Sequence, residues 1–426
     1  MINKNFSIKG INDILPLDTF FWRELESILI YSVSQYGYEE IRLPLIEKTK
    51  LFERSIGQVT DIMRKEMYTF IDKNGESLSL RPEGTVGCIR ACIENNLISN
   101  SRKQRLWYLG PMFRRDKPQK GRYRQFYQFG VEAIGITEFY IELELIFICS
   151  RLWKLLGIDN YIKLQINTIG TIEERKKYTN ALRNYFKLYI DCLDENSKYQ
   201  LINNPIRILD SKNIKIQSLL KDAPKLFDFL DYKSKYFFNL FCSRLDYFGI
   251  AYFINPLLVR GLDYYNNLVF EWYSEKLGKQ ITICAGGRYD LLTQYLGRNS
   301  IPAIGFSIGM ERLILLLKVL KKNFCKKRFT LFFIVVRQEN AINQFLLISE
   351  SLRDFNMEWK VIFSIFNQNL KKQFKKANMS GAEYALIIGK KEAFNKEISI
   401  KNLYNSEKQV TLLQKDLIDY LKEKSL

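Results

Sequence analysis

QRLWYLGPMFRRDKPQKGRYRQFYQFGVEAIG, residues 104–135, is the stretch on which the fold turns. Residues 104–116 and 123–135 alternate as two strands, and the loop KPQKGR (117–122) joins them. Arg114, Arg115, Lys117, Lys120, Arg122 and Arg124 crowd around Asp116, with Tyr123, Phe126 and Tyr127 close behind. Alternate side chains on a strand share a face, so Arg114 can point into a site while the loop projects outward. A guanidinium forks onto phosphate oxygens and stacks on aromatic planes. Taken alone, the run suits a nucleic acid backbone, a nucleotide or a solvated basic hairpin.

Working outward, the chain reads as alternating strands and helices. Residues 18–36 have helical apolar spacing, with Asp18 as a predicted N-cap, and YEEIRLPLIE (38–47) reads as a strand carrying Pro44. EMYTFID (66–72), Asn74-Gly75 and SLSLRPEG (77–84) predict a hairpin, and 85–97 and 141–157 predict helices. From about 160 to 250 the texture becomes helical and carries no chemical motif, which predicts an inserted subdomain. Strand and glycine patterns resume at 255–274, 281–292 and 303–320. The predicted boundaries are a first domain over 1–320, a basic linker over 321–328, and a small α/β domain over 329–426.

Composition narrows the chemistry. At 426 residues the chain is too long for one ordinary core. Lys plus Arg number 65 against 46 Asp plus Glu, a net charge of +19, which favours a polyanionic partner. The abundance of Asn, Lys, Ile, Phe and Tyr also fits A/T-rich codons, so charge alone decides little. No apolar run reaches the length of a membrane span and the N-terminus shows no signal-peptide run. Seven scattered cysteines without a CxxC pair predict a reducing, cytoplasmic setting and no structural zinc. The chain has no histidine, which excludes a His general base, a Ser-His-Asp triad and a His metal ligand.

Three further segments carry site-like residues: LRPEGT (80–85) with Glu83 and Thr85, VRGLDYYNN (259–267) with Arg260, Tyr264 and Tyr265, and GFSIGMERLILLL (305–317) with Glu311 and Arg312. Singly, each is ordinary. Together they resemble the class II aminoacyl-tRNA synthetases and, within them, the bacterial histidyl-tRNA synthetases. RLPLIE looks like motif 1, residues 113–135 like motif 2, and AIGFSIGMERLILLL (303–317) like motif 3. RGLDYYNNLVFEW (260–272) and AGGRYDLL (285–292) are similar to the two segments peculiar to the histidyl branch and its paralogue.

The resemblance implies an α+β catalytic domain, an antiparallel sheet flanked by helices, with the inserted helical subdomain and a C-terminal α/β anticodon-binding domain. It implies ATP-dependent activation of L-histidine to histidyl-adenylate, then transfer to the 3′ end of tRNA(His). The catalytic residues would be Arg114 on the α-phosphate, Arg260 on the substrate carboxylate and α-phosphate, and Arg312 on the γ-phosphate, with Asp116 also at ATP. Glu83, Thr85 and Gln128 would bind the α-ammonium group, and Glu132 and Tyr264 the imidazole, beside Tyr265. Lys117, Gln119, Lys120 and Arg122 would meet the tRNA acceptor end. Mg²⁺ would arrive with ATP, and the protein would be a cytoplasmic homodimer with no membrane partner.

Two departures stand out. The family's usual His-Glu-Arg run after the motif 2 arginine is Arg115-Asp116-Lys117 here, and its usual His before the motif 2 glutamine is Tyr127. The alternative expectation is the histidyl-synthetase-like regulatory subunit of ATP phosphoribosyltransferase, without aminoacylation activity. That paralogue typically lacks the C-terminal domain and has degraded motifs, whereas residues 329–426 and all three arginines are present here.

Overall fold

The structure, a computed structural model, describes residues 7–57, 60, 62–99, 102–278, 281–322, 329–363, 369–405 and 407–425. Two compact units divide the chain, Met1–Phe324 and Cys325–Leu426. The predicted linker, 321–328, lies outside the described residues from 323 onward. No helix among the described residues is long and apolar enough to cross a membrane.

The strands of the first unit, in chain order, are β1 (Glu39–Glu40), β2 (Ile46–Lys48), β3 (Tyr68–Ile71), β4 (Ser77–Leu80), β5 (Gln104–Phe113), β6 (Gln125–Ile134), β7 (Lys163–Thr168), β8 (Tyr252–Ile254), β9 (Asn266–Ser274), β10 (Ile281–Arg288) and β11 (Ala303–Gly309). Eight of them form one sheet in the order β1-β5-β6-β11-β10-β9-β7-β8. Every pairing from β5 across to β7 is antiparallel, and only the edge strands β1 and β8 pair in parallel. Strands β2, β4 and β3 make a separate antiparallel sheet.

The two-residue period of β6 sorts its side chains between two faces. Phe129, Val131 and Ala133 enter a core with Trp22, Leu25 and Leu29 of helix Pro16–Ser34, Leu145 and Trp153 of helix Tyr140–Leu155, and Leu313 of helix Met310–Val319. Full burial of each such large apolar side chain stabilises by about 1.5–3 kcal/mol. Over the other face, Leu106, Tyr108 and Ile134 pack with Val86 and Ile89 of helix Thr85–Glu94 and with Tyr178, Leu182 and Phe186 of helix Ile172–Lys187.

Several expectations shift in detail. The first helix starts at Pro16, whose missing N–H costs nothing at a helix start, so Asp18 lies in the first turn and pairs with Lys318 instead of capping. The strand predicted over 38–47 is broken into β1 and β2. Pro44 has no N–H for a ladder, and the carbonyls of Leu43 and Pro44 accept instead from the Arg81 guanidinium at 3.1 and 3.4 Å. In the predicted insertion, β7 belongs to the main sheet, and helix Tyr232–Tyr247 sends Phe238, Phe241 and Leu245 into the first core. Helices Ile172–Lys187, Glu195–Asn203 and Ile214–Leu219, each started by a capping side chain (Thr171, Asp194 and Asn213), join the second core through Tyr178, Leu182, Phe186, Leu201 and Ile216.

The second unit is a five-stranded sheet in the order β13 (Lys360–Phe363), β12 (Thr330–Val335), β14 (Tyr384–Ile388), β15 (Glu397–Asn402) and β16 (Val410–Leu413). Pairs β13-β12-β14 are parallel and β14-β15-β16 antiparallel. Helices cover both faces, so β12 is apolar from Leu331 onward: Leu331, Phe333 and Val335 face one core, Phe332 and Ile334 the other. The short helix Lys390–Asn395 is an element that sequence patterning missed.

Candidate active site

On the sheet face opposite the first core lies a cavity of about 740 Å³. Gln128 of β6, Glu271 of β9, Thr282 of β10, and Gly305 and Ser307 of β11 line its floor. Glu83, Arg114, Arg260 and Arg312, far apart in the chain, all line it too, as do Thr85, Tyr264 and Tyr265.

One end is built around carboxylates. Glu83 precedes helix Thr85–Glu94, and its two oxygens accept from the backbone N–H of Thr85 and of Val86, each at 2.9 Å. The Tyr264 hydroxyl donates to the same carboxylate at 3.2 Å. Burial raises the Glu83 pKa despite these bonds. Glu132 is 1% exposed and does not itself line the cavity, so the residue expected to meet an imidazole stands one layer below the surface. Its carboxylate accepts from Thr85 Oγ1 at 2.8 Å, from the Tyr108 hydroxyl at 3.0 Å and from the Tyr289 hydroxyl. Desolvation still pushes its pKa up to about 8. Gly305, directly opposite on β11, leaves room for it: a Cβ there would collide with the Glu132 carboxylate and the Val131 carbonyl. Tyr264 and Tyr265 lie side by side with ring centroids 4.7 Å apart, and Tyr289 closes on both at 5.7 and 6.1 Å.

The other end is cationic. Arg114 donates from Nε to the Pro82 carbonyl at 2.8 Å, and its guanidinium lies 5.3 Å from the Phe126 ring centre. Burial lowers its pKa, and Arg260 adds to the effect. Arg312 opens helix Met310–Val319 with Glu311 and donates to the Gly121 carbonyl at 3.0 Å and the Thr282 carbonyl at 2.8 Å. Burial, with Arg122 and Arg114 nearby, pulls its pKa down to about 10. Arg260 pairs with Glu271 at 2.5 Å, and its guanidinium faces the Tyr265 ring at 5.4 Å. Burial works against the Arg260 charge, but Tyr265, Glu271 and Tyr264 outweigh it and raise the pKa. Three half-buried cations thus converge on one space, and an anion there gains strong charge-assisted bonds.

The hairpin loop is held at its root and open at its tip. Gly121 turns with φ of +74°, a conformation suited to glycine, and its carbonyl is the one Arg312 holds. Asp116 and Arg122 line the cavity and pair with each other at 3.0 Å, so the Asp116 carboxylate is already engaged inside the loop. Lys117, Gln119 and Lys120 are exposed and outside the cavity lining. Tyr127 lies on the far face of β6, edge-on to Trp22 at 5.3 Å, while its backbone N–H donates to both oxygens of Glu311 at 2.9 and 3.0 Å. Burial raises Glu311 to about 7.

Sequence reasoning missed other members of this site. Glu271 and Thr282 read as ordinary strand residues, and the insertion showed no motif, yet Arg207, Asp210 and Lys212 from it also line the cavity. Arg207 reaches Asp263 at 2.6 Å, tying the insertion to the loop that carries Arg260 and Tyr264. The tetrad RILD (207–210) was the available signal, since two opposite charges flank an apolar pair; both apolar residues are buried. Among the described residues no group of three or more Cys, Asp or Glu side chains is placed to hold a metal ion.

Comparison with known proteins accords with this geometry. The histidyl-tRNA synthetase family matches residues 10–192 and 210–313, and the anticodon binding domain family matches residues 332–424. The chain is 49% identical over 423 residues to the histidine–tRNA ligase of Legionella pneumophila strain Lens, covering 99% of each chain. Among solved structures, it matches apo S. aureus histidyl-tRNA synthetase with a TM-score of 0.80 and 33% identity, over 98% of this chain and 100% of that one. A Bacillus halodurans C protein described as an ATP phosphoribosyltransferase regulatory subunit/histidyl-tRNA synthetase shares the fold at a TM-score of 0.60 and 19% identity, over 88% of this chain and 96% of that one. The chain belongs to the histidyl-tRNA synthetase family, with the class II catalytic fold and a C-terminal anticodon-binding α/β domain.

Proposed function

We propose that this member of the histidyl-tRNA synthetase family is a histidine–tRNA ligase, activating L-histidine with ATP and esterifying it to the 3′ end of tRNA(His). The observation that carries the reading is that Arg114, Arg260 and Arg312 share one cavity with Glu83. Activation is an in-line attack by the histidine carboxylate on the α-phosphorus of ATP, with pyrophosphate leaving. Negative charge grows on phosphorus oxygens, so fixed cations serve the step and no protein imidazole is needed. Arg114 holds the α-phosphate, Arg312 the γ-phosphate, and Arg260 bridges the α-phosphate and the histidine carboxylate. In the second step a terminal ribose hydroxyl of the tRNA attacks the activated carbonyl and AMP leaves.

At the carboxylate end, Glu83, Thr85 and Gln128 receive the α-ammonium group. Tyr264 and Tyr265 wall the imidazole, and a ring N–H passing Gly305 meets Glu132. Buried polar groups left unpaired by the wrong side chain are the source of selectivity. Mg²⁺ would arrive with ATP and offset phosphate charge; among the described residues no group of three or more Cys, Asp or Glu is placed to hold it. Asp116, paired with Arg122, steadies the loop beside ATP, and the exposed Lys117, Gln119, Lys120 and Arg122 meet the acceptor end. The second unit meets the anticodon, and the presence of that unit favours ligation over the purely regulatory role.

A homodimer is supported by the motif 1-like segment and by the exposure of Ile46, Phe70 and Ile71 on the small sheet that carries it. The thiols of Cys88, Cys149 and Cys284 suit a reducing cytoplasm. Histidine-dependent exchange of pyrophosphate into ATP tests the whole reading. Exchange that starts only with histidine is the expected result. Histidine binding without exchange would favour the regulatory role, and exchange driven by another amino acid would reassign the pocket.

A further inference from the structure

We propose that Glu271 is a positioning residue for activation: its carboxylate clamps Arg260 and, through Thr282, ties it to the strand that holds Arg312. The inference rests on the reading of Arg260 as the cation of the α-phosphate.

Glu271 sits near the middle of β9, opposite Gln165 of β7 and Ala285 of β10. Its side chain is only 13% exposed, so its oxygens need partners within the protein. Oε1 accepts from Arg260 Nη1 at 2.5 Å. Oε2 accepts from Gln165 Nε2 and from Thr282 Oγ1, both at 3.0 Å. The Gln165 carbonyl oxygen is itself fixed by the Asn255 amide at 3.0 Å, which leaves the Gln165 amide nitrogen turned toward Glu271. Three segments therefore set the plane of one carboxylate before any ligand enters.

Arg260 needs such a clamp. It stands in the loop between β8 and β9, outside any strand or helix, and a long side chain there has no regular element to orient it. Glu271 takes only Nη1. Arg260 Nε is buried with no hydrogen-bond partner among the described residues, so the guanidinium keeps hydrogen-bonding capacity in reserve. Thr282 extends the chain of bonds, for its hydroxyl serves Glu271 while its carbonyl accepts from Arg312 Nη1 at 2.8 Å. The electrostatics agree: Arg122 and Arg114 act against the Arg312 charge, and Glu271 acts for it and for that of Arg260. One carboxylate so offsets the mutual repulsion of the cations and fixes two of them relative to each other. In-line attack rewards that arrangement, because a small misplacement of a phosphate-holding group lowers the rate steeply.

The test is a set of variants of the full-length protein, with histidine-dependent pyrophosphate exchange and melting temperature as readouts. Arg260→Ala establishes the premise and should lose about a hundredfold or more in kcat. Glu271→Gln, which keeps the shape and removes the charge, should lower kcat by about tenfold to a hundredfold, with KM for ATP and histidine within about threefold. Glu271→Asp should recover part of that loss. Arg260→Ala/Glu271→Gln should be no slower than Arg260→Ala alone, because the two act as a unit. An unaffected Arg260→Ala would overturn the reading of Arg260 itself. A slow Arg260→Ala beside a normal Glu271→Gln would overturn only the role of Glu271. Multiplying losses in the double variant, or a Glu271→Gln defect that merely follows a fall in melting temperature, would make Glu271 structural and overturn the proposal.

Discussion

The two ends of the cavity are finished to different degrees. At the carboxylate end, Glu83 and Glu132 accept from two backbone N–H groups and from the four hydroxyls of Thr85, Tyr108, Tyr264 and Tyr289, and the pocket is set without a ligand. At the guanidinium end, Arg114 and Arg312 donate to backbone carbonyls, those of Pro82, Gly121 and Thr282. Carbonyls orient a guanidinium without cancelling its charge. On the proposed reading, the contrast teaches that recognition would rest on satisfied hydrogen bonds, and catalysis on cations kept short of full neutralisation.

The largest effect that could break this contrast is expected at Arg114. Arg114→Ala should lower histidine-dependent pyrophosphate exchange by about a hundredfold or more, roughly 3 kcal/mol of transition-state stabilisation, with histidine affinity little changed. A loss confined to the KM for histidine would show that the two ends are not separate. Gly305→Ala should act in the opposite sense. Its new Cβ would displace the Glu132 carboxylate, so the KM for histidine should rise about tenfold, the KM for ATP should hold, and stability should fall by about 1–3 kcal/mol. Normal histidine kinetics in that variant would remove Glu132 from the pocket.

The smallest effect sharpens the contrast through pH. Burial lifts Glu132 to about 8 from an ordinary 4.5, so between those values the folded protein keeps a proton that the unfolded chain has lost. Stability from this source is greatest at the acid end and declines as pH rises toward about 8, then levels off. Glu311, raised to about 7, acts in the same direction over a narrower range. Thermal melts taken from about pH 5 to about pH 8 should fall less steeply for Glu132→Gln than for the wild type. Parallel curves would mean that Glu132 does not titrate there.

Much of this was legible in the residues. The hairpin at 104–135, the segments that carry Glu83, Arg260 and Arg312, and the alternation of the second unit follow from local periodicity and turn chemistry. Glu271 was not legible, because a glutamate in LVFEW looks like any outward strand charge until β7 and β10 are paired on either side of it. The depth of Glu132 was hidden for the same reason, since it depends on Gly305, 173 positions away, lacking a side chain. Arg207 and Asp210 were hidden in a subdomain whose own sequence is devoted to helix caps and packing. Cross-strand neighbours and long-range closures leave little trace in any local window.

Tyr127 stands where the family usually has histidine, and its ring rests against Trp22 on the packed side of the sheet, turned from Gln128 and the cavity. The exchange of an imidazole for a phenol at that position is thus a matter of fit between rings. The whole chain holds no histidine, so a ribosome making it never waits at a histidine codon. A cell short of the charged tRNA that this protein supplies could go on making the protein itself, and the remedy for the shortage would not depend on the scarce material.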